Sequence, residues 1–198
     1  MSKHQRIGVF GGTFDPIHTG HLAIARAACE QAHLDKVLFV IAANPPHKHG
    51  SEITAASVRA TMVEASIAEE PSFDVCQLEL ERPGPSYTVD TLKRLHEIYA
   101  PAELFFIIGY DSAVDFPYWR NPKEILKLAT LLVAPRPENK APLPPLVADN
   151  CTVLTMKEYP VSSSEIRQRM EQGEDMTKWL SACTAAFIEK KGLYRARC

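Results

Sequence analysis

No stretch of this sequence stays apolar for the ~18 residues that a membrane helix needs. No signal-like segment stands at its start, so a cytoplasmic location is expected. There is no Cys-x-x-Cys either. The five cysteines, at 29, 76, 151, 183 and 198, are odd in number and scattered, which argues for reduced thiols rather than a disulfide framework. Neither sign of charge dominates. Twenty-two basic side chains against 24 acidic ones leave a net charge of −2, and that gives no electrostatic case for nucleic acid or an anionic membrane as partner. Any phosphate site must therefore be local. Nine glycines are present, yet they form neither Gly-x-Gly-x-x-Gly nor Gly-x-x-x-x-Gly-Lys-Ser/Thr. A simple NAD-dependent oxidoreductase is disfavoured on that ground. No internal repeat is visible.

The 198 residues are 45% apolar and 23% charged, enough to bury a real core in one domain. Strand and helix signals alternate along them. Ile7–Phe10, Lys36–Ala42, Phe73–Leu80, Glu103–Ile108, Thr130–Ala134 and Thr152–Met156 read as strands. Gly20–Gln31, Ala55–Glu69, Thr88–Tyr99, Lys123–Leu128, Ser163–Glu171 and Ala182–Lys190 read as helices, the second with Val58, Met62, Ala65 and Ile67 or Ala68 inward. Gly109–Arg120 reads as a polar and aromatic connection, and Pro135–Pro145, with five prolines, as a loop. Alternation of this kind implies a Rossmann-like, doubly wound α/β fold, its mostly parallel sheet covered by helices on both faces. Ligands of such sheets bind beyond the carboxyl ends of the strands, where the strand order reverses. Strands one, two and four are expected to end at Phe10, Ala42 and Ile108, and directly after them come three chemically rich stretches: the Gly/His stretch, Asn44–Lys48 and Gly109–Trp119.

The first of them is Gly11-Gly12-Thr13-Phe14-Asp15-Pro16-Ile17-His18-Thr19-Gly20-His21. The two glycines are expected to turn the chain sharply and let a ligand approach the backbone. Thr19 is a plausible N-cap for the helix that follows. A strand-to-helix turn rich in glycine is common and often purely structural. Two histidines three apart at its mouth are hard to explain as packing, and they sit where a helix N-terminus favours phosphate. Zinc is a poor reading, because no Cys pair or Glu stands at ligand spacing.

Gly12-Thr13-Phe14-Asp15-Pro16-Ile17-His18-Thr19-Gly20-His21 resembles the Gly-x-Phe-x-Pro-x-His-x-Gly-His signature of nucleotidyltransferases that form phosphoanhydrides. Further matches resemble bacterial nicotinate-nucleotide adenylyltransferases: Asn44-Pro45-Pro46-His47-Lys48, Ser86-Tyr87-Thr88, Ile108-Gly109-Tyr110-Asp111, Trp119 and Ser162-Ser163-Ser164-Glu165-Ile166-Arg167. The resemblance runs from Ile7 to Tyr194. It implies one nucleotidyltransferase domain over 1–198, with a C-terminal helical portion from about 162.

Each match also has an ordinary reading. Asn44–Lys48 can be a surface turn, Thr88 a plain helix cap, and Asp111 the cap of a short helix. Phe116 reads as core, whereas Trp119 beside polar residues is a candidate for stacking on an aromatic ligand. Ser162 with Glu165 fits a capping box, which leaves Arg167 unexplained. The resemblance assigns these residues instead. His18, His21 and Arg167 become catalytic. An ATP site takes Gly11, Gly12, Thr13, Phe14, His18, Gly20, His21, Gly109, Asp111, Ser163 and Arg167. A nicotinate mononucleotide site takes Asn44, Lys48, Tyr87, Thr88, Trp119 and Arg120.

The implied reaction is adenylyl transfer from ATP to nicotinate mononucleotide, giving deamido-NAD and pyrophosphate in NAD biosynthesis. Mg²⁺ is expected to arrive with ATP, with no protein metal ligand. ATP and nicotinate mononucleotide are the expected partners, without nucleic acid or membrane; a homo-oligomer stays open. The alternatives are transfer to nicotinamide mononucleotide or phosphopantetheine, or a nucleotide-binding sensor that no longer turns over.

Overall fold

A computed structural model describes residues 4–44, 53–82, 84–136, 141–157 and 159–195. Among these residues six strands run β1 (Arg6–Gly12), β2 (Lys36–Ile41), β3 (Phe73–Cys76), β4 (Glu103–Gly109), β5 (Thr130–Ala134) and β6 (Cys151–Val153). Among the described residues eight α-helices are interleaved with them: α1 (Thr19–Gln31), α2 (Ala56–Ile67), α3 (Thr88–Tyr99), α4 (Tyr110–Asp115), α5 (Pro122–Leu128), α6 (Pro145–Ala148), α7 (Ser163–Glu171) and α8 (Ala182–Lys191). All strand pairs are parallel, in the order β3-β2-β1-β4-β5-β6. The order reverses between β1 and β4, which makes their carboxyl ends the switch point.

Period-two alternation sorts the strand residues onto two buried faces. Phe10, Val37, Phe39, Ile41, Phe105, Ile107 and Leu132 face α1, α2, α7 and α8, meeting Leu22, Met62, Val63, Ile166 and Ile188. Ile7, Val9, Leu38, Val40, Leu104, Phe106, Ile108, Leu131 and Val133 face α3 to α6, meeting Val89, Leu92, Leu95, Ala113, Ile125 and Val147. Each such side chain contributes about 1.5–3 kcal/mol when buried, so two filled faces hold the sheet against its helices. No helix among the described residues is long and apolar enough to cross a membrane.

Several sequence expectations need correction. The strand expected over Phe73–Leu80 stops at Cys76, where the chain turns and Leu80 N–H donates to Gln77 O. The one expected over Thr152–Met156 is Cys151–Val153. The connection over Gly109–Arg120 is largely helical: α4 leads into a 3₁₀ turn over Phe116–Tyr118, with Phe116 buried as expected. Helix α6 was hidden by its own prolines, which are tolerated because Pro145 stands in the first turn, where no backbone donor is needed. The inward face of α2 is Arg59, Ala60, Met62, Val63 and Ile67. Val58 and Ala65 are only half-buried and Ala68 is exposed, because a guanidinium takes the place expected of an aliphatic side chain.

Candidate active site

Strand β1 carries its pairing through Gly11 and Gly12, opposite Val40 and Ile41, so the expected sharp turn at these glycines is absent. The chain turns instead at Phe14, in the left-handed region at φ 50°, followed by a cis Asp15–Pro16 peptide. Phe14 tolerates this conformation because its ring is locked. It is buried, edge-on to Phe10 at 5.5 Å and to His21 at 5.1 Å between centroids. Gly12 is required by that ring, since a Cβ there would lie 2.7 Å from Phe14 Cζ.

Three carbonyls of the turn are held by side chains from elsewhere. Thr13 O accepts from Arg59 Nη1 at 2.6 Å, Asp15 O from Arg167 Nη1 at 2.7 Å, and Pro16 O from Ser163 Oγ at 2.8 Å. The Asp15 carboxylate is buried. It accepts from the backbone N–H of Thr54 at 3.2 Å and from Tyr194 Oη at 2.5 Å. Burial and this contact push the Tyr194 phenol well above its ordinary pKa, so it stays a donor.

Helix α1 starts one residue earlier than expected, with His18 rather than Thr19 as its N-cap. The His18 backbone N–H donates to His21 Nδ1 at 3.2 Å. A neutral His21 bonded in this way carries its proton on Nε2. The two rings lie 3.7 Å apart between centroids. Burial lowers the His18 pKa to about 4, so its imidazole is neutral at physiological pH. His18 Nδ1 is buried without a hydrogen-bond partner among the described residues. Its ring is seated against Gly20, where a Cβ would come within 3.0 Å of Cε1 and Nδ1.

Two clefts open at the switch point. One, of ≈ 280 Å³, is walled by His18, Gly20 and His21, by Gly109–Ser112, by Pro135 and Arg136, and by Tyr159 and Val161–Ser163. The other, of ≈ 570 Å³, is walled by Thr13, Ala42 and Glu79, by Ser86–Thr88, and by Tyr118–Arg120. They share Gly11, Gly12, Gly109 and Ser112. A Cβ at Gly109 would meet nothing within 4 Å, and its φ of −75° suits any residue. The fold itself therefore does not demand a glycine there, and the space lies open to a ligand.

In the second cleft Trp119 stands edge-on to Phe106 at 6.0 Å. The Arg120 guanidinium lies 4.5 Å over the Tyr87 ring. Tyr87, not Thr88, is the N-cap of α3. The Glu79 carboxylate is buried and accepts from Thr91 Oγ1 at 2.6 Å. Ser86 Oγ accepts from the N–H groups of Ala43 and Asn44 at 3.1 and 3.3 Å, tying the end of β2 to the start of α3.

Of the residues expected to bind ATP, Gly11, Gly12, Phe14, His18, Gly20, His21, Gly109, Asp111 and Ser163 line the first cleft. Thr13 lines the second. Arg167 lines neither: it is engaged with Asp15 O and, at 3.5 Å, with Ser164 Oγ. Asp111 is ion-paired with Arg136 at the rim. Of the expected mononucleotide site, Tyr87, Thr88, Trp119 and Arg120 line the second cleft. Asn44 is tied to Gly84 O at 3.1 Å and lies outside it, and Lys48 falls outside the described residues. The sequence reading missed Arg59, Asp15, Glu79, Arg136 and Tyr194. Asp15 lies within the Gly/His stretch itself; the others carried no local signal.

A profile for cytidylyltransferase-like proteins matches residues 9–169. A probable nicotinate-nucleotide adenylyltransferase of Thermus thermophilus is 45% identical over 194 residues, covering 96% of this chain and all of that one. One of Desulfitobacterium hafniense is 39% identical over 200 residues, covering 96% of each. Among solved structures, Plasmodium falciparum nicotinic acid mononucleotide adenylyltransferase complexed with NaAD superposes with a TM-score of 0.80 over 96% of this chain and 98% of that one. At 20% identity, that likeness speaks for the fold.

Proposed function

The chain belongs to the nicotinate-nucleotide adenylyltransferases, within the cytidylyltransferase-like family, and on that premise we propose that it transfers the adenylyl group of ATP to nicotinate mononucleotide, releasing pyrophosphate and forming deamido-NAD. The observation that supports this reading best is the pair of clefts meeting over Gly11, Gly12 and Gly109 beside His18 and His21. Two nucleotides laid one in each cleft would bring their phosphates together at the helix N-terminus.

The nucleophile is the phosphate of the mononucleotide, ionised near neutrality because its second pKa is about 6. No protein base is needed, and no covalent enzyme intermediate forms. The work of the site is alignment and stabilisation of charge on the transferring and leaving oxygens. His21, with its proton on Nε2, and the neutral His18 imidazole act as hydrogen-bond donors to the phosphates. Ser163 and Arg167, on the first turns of α7, serve the departing pyrophosphate, with Arg167 exchanging Asp15 O for phosphate oxygen. Adenosine lies along Gly109 and Asp111. The pyridine ring lies against Trp119, its carboxylate near the N-terminus of α3 and the Arg120 guanidinium.

Nucleotidyltransferases of this kind generally use a divalent metal. No group of three or more His, Cys, Asp or Glu among the described residues could hold one. We read the ion as Mg²⁺, held chiefly by ATP phosphates and neutralising their charge. Residues 1–198 are read as one nucleotidyltransferase domain of a cytoplasmic enzyme without nucleic-acid or membrane partners, in keeping with the net charge of −2.

The test is pyrophosphate release with ATP and Mg²⁺, comparing nicotinate mononucleotide with its amide. Strong preference for the acid is expected. Equal use of both would keep the chemistry and discard the carboxylate site. Binding of ATP without release with either acceptor would favour a sensor.

A further inference from the structure

We infer that Arg59 is a positioning residue for the reaction, holding the phosphate-facing end of β1 and the substrate-facing end of β2 in one fixed arrangement. The inference rests on the adenylyl-transfer reading above. Arg59 is 1% exposed, the largest fully buried side chain among the described residues. Each of its three nitrogens donates to a backbone carbonyl. Nε reaches Thr54 O at 2.7 Å, Nη1 reaches Thr13 O at 2.6 Å, and Nη2 reaches Ala42 O at 2.8 Å. No ion pair to it is formed among the described residues, although Asp15 is close enough to favour its charge.

The placement is specific. The last backbone link between β1 and β2 is Ala42 N–H to Gly12 O at 2.9 Å. One residue further on, Thr13 O and Ala42 O no longer meet a strand, and the guanidinium fork takes both. Thr13 and Ala42 line the larger cleft, and Gly12 lines both clefts, so Arg59 stands directly behind the floor where the two substrates' phosphates meet. With their carbonyls turned back onto a cation, these residues aim no acceptor from those positions at incoming anions. Packing alone gives no reason for a charge here. The neighbouring inward residues of α2 are Ala60, Met62 and Val63, and burying a guanidinium is costly where an aliphatic chain would fill the space. The planar fork can bond three divergent carbonyls at once, whereas a lysine ammonium on its single stem cannot.

The test compares wild type, Arg59→Lys and Arg59→Met for kcat and both KM values, per folded molecule, with folding followed by near-ultraviolet circular dichroism. Misplacing the reacting groups by about 1 Å costs about 10²-fold. Folded Arg59→Met should lose kcat on that scale, and Arg59→Lys should recover only part of it. Activity per folded molecule within twofold of wild type for either variant would overturn the inference. Should neither variant fold, wild-type protein still decides. The Nε–H resonance of Arg59 should shift on saturation with nicotinate mononucleotide, and an unmoved resonance would overturn the role. If wild type itself releases no pyrophosphate, it is the adenylyl-transfer reading that fails.

Discussion

Replacing Gly20 with alanine should displace the two histidines without removing either imidazole. The new methyl would stand 3.0 Å from His18 Cε1 and Nδ1 and 3.3 Å from Tyr159 Cβ. Those are tight contacts rather than impossible ones, so the His18 ring has to move by a few tenths of an ångström. It cannot move alone, because the His21 ring lies 3.7 Å away. Two terms oppose each other in stability. Alanine gains about 0.5–1 kcal/mol over glycine within a helix. Overpacking a buried site costs about 1–3 kcal/mol. The net is a loss of about 0–2.5 kcal/mol, or a fall in Tm of no more than about 10 °C for a chain of this size. Catalysis has no compensating term. A shift of a few tenths of an ångström in both donors should lower kcat about four- to tenfold, given about 10²-fold for a full ångström. The assay is steady-state pyrophosphate release beside a thermal melt. A folded Gly20→Ala enzyme with kcat within twofold of wild type would refute the claim that His18 and His21 must sit where they do.

Four further outcomes are expected. His21→Ala should lose about 10²–10³-fold in kcat while staying folded, the usual consequence of removing one donor to developing charge; near wild-type turnover would show that it contacts no reacting oxygen. Tyr194→Phe leaves Asp15 Oδ1 without its phenol donor and should cost about 1–3 kcal/mol in urea denaturation; an unchanged midpoint would show the contact to be idle. His18 has its folded pKa depressed to about 4 against 6.5, so the unfolded chain takes up the proton first as pH falls. Its contribution is unchanged above pH 6.5 and turns against folding between 6.5 and 4, by up to about 3 kcal/mol, and His18→Gln should remove that part of the slope in denaturation at stepped pH. Arg120→Gln should raise KM for nicotinate mononucleotide and leave KM for its amide nearly unchanged; parallel effects on both would remove the carboxylate assignment.

The strands were readable because β1, β2, β4 and β5 are short apolar runs buried on both faces, a pattern with few other solutions. Helix α7 was read to the residue, since Ser162 does cap it by accepting from Glu165 N–H at 3.2 Å. What stayed hidden has a common physical origin. An arginine at position 59 looks like a solvated helix face, and only the fold reveals that three carbonyls converge there. Gly11 and Gly12 looked like the turn, yet the left-handed residue is Phe14, whose ring is trapped by Phe10 and His21 from both sides. Ser163 and Arg167 could be placed on one helix turn, but not their bonds to Pro16 O and Asp15 O across the chain. Local pattern encodes elements; long-range bonds to backbone carbonyls leave no trace in it.

The central claim is that a mononucleotide phosphate oxygen attacks the α-phosphorus of ATP at the junction of the two clefts. Nicotinate mononucleotide labelled with ¹⁸O on its phosphate tests this directly, with the products resolved by mass spectrometry. All of the label should appear in the dinucleotide and none in pyrophosphate. Label in the pyrophosphate, or release of AMP without dinucleotide, would contradict the account.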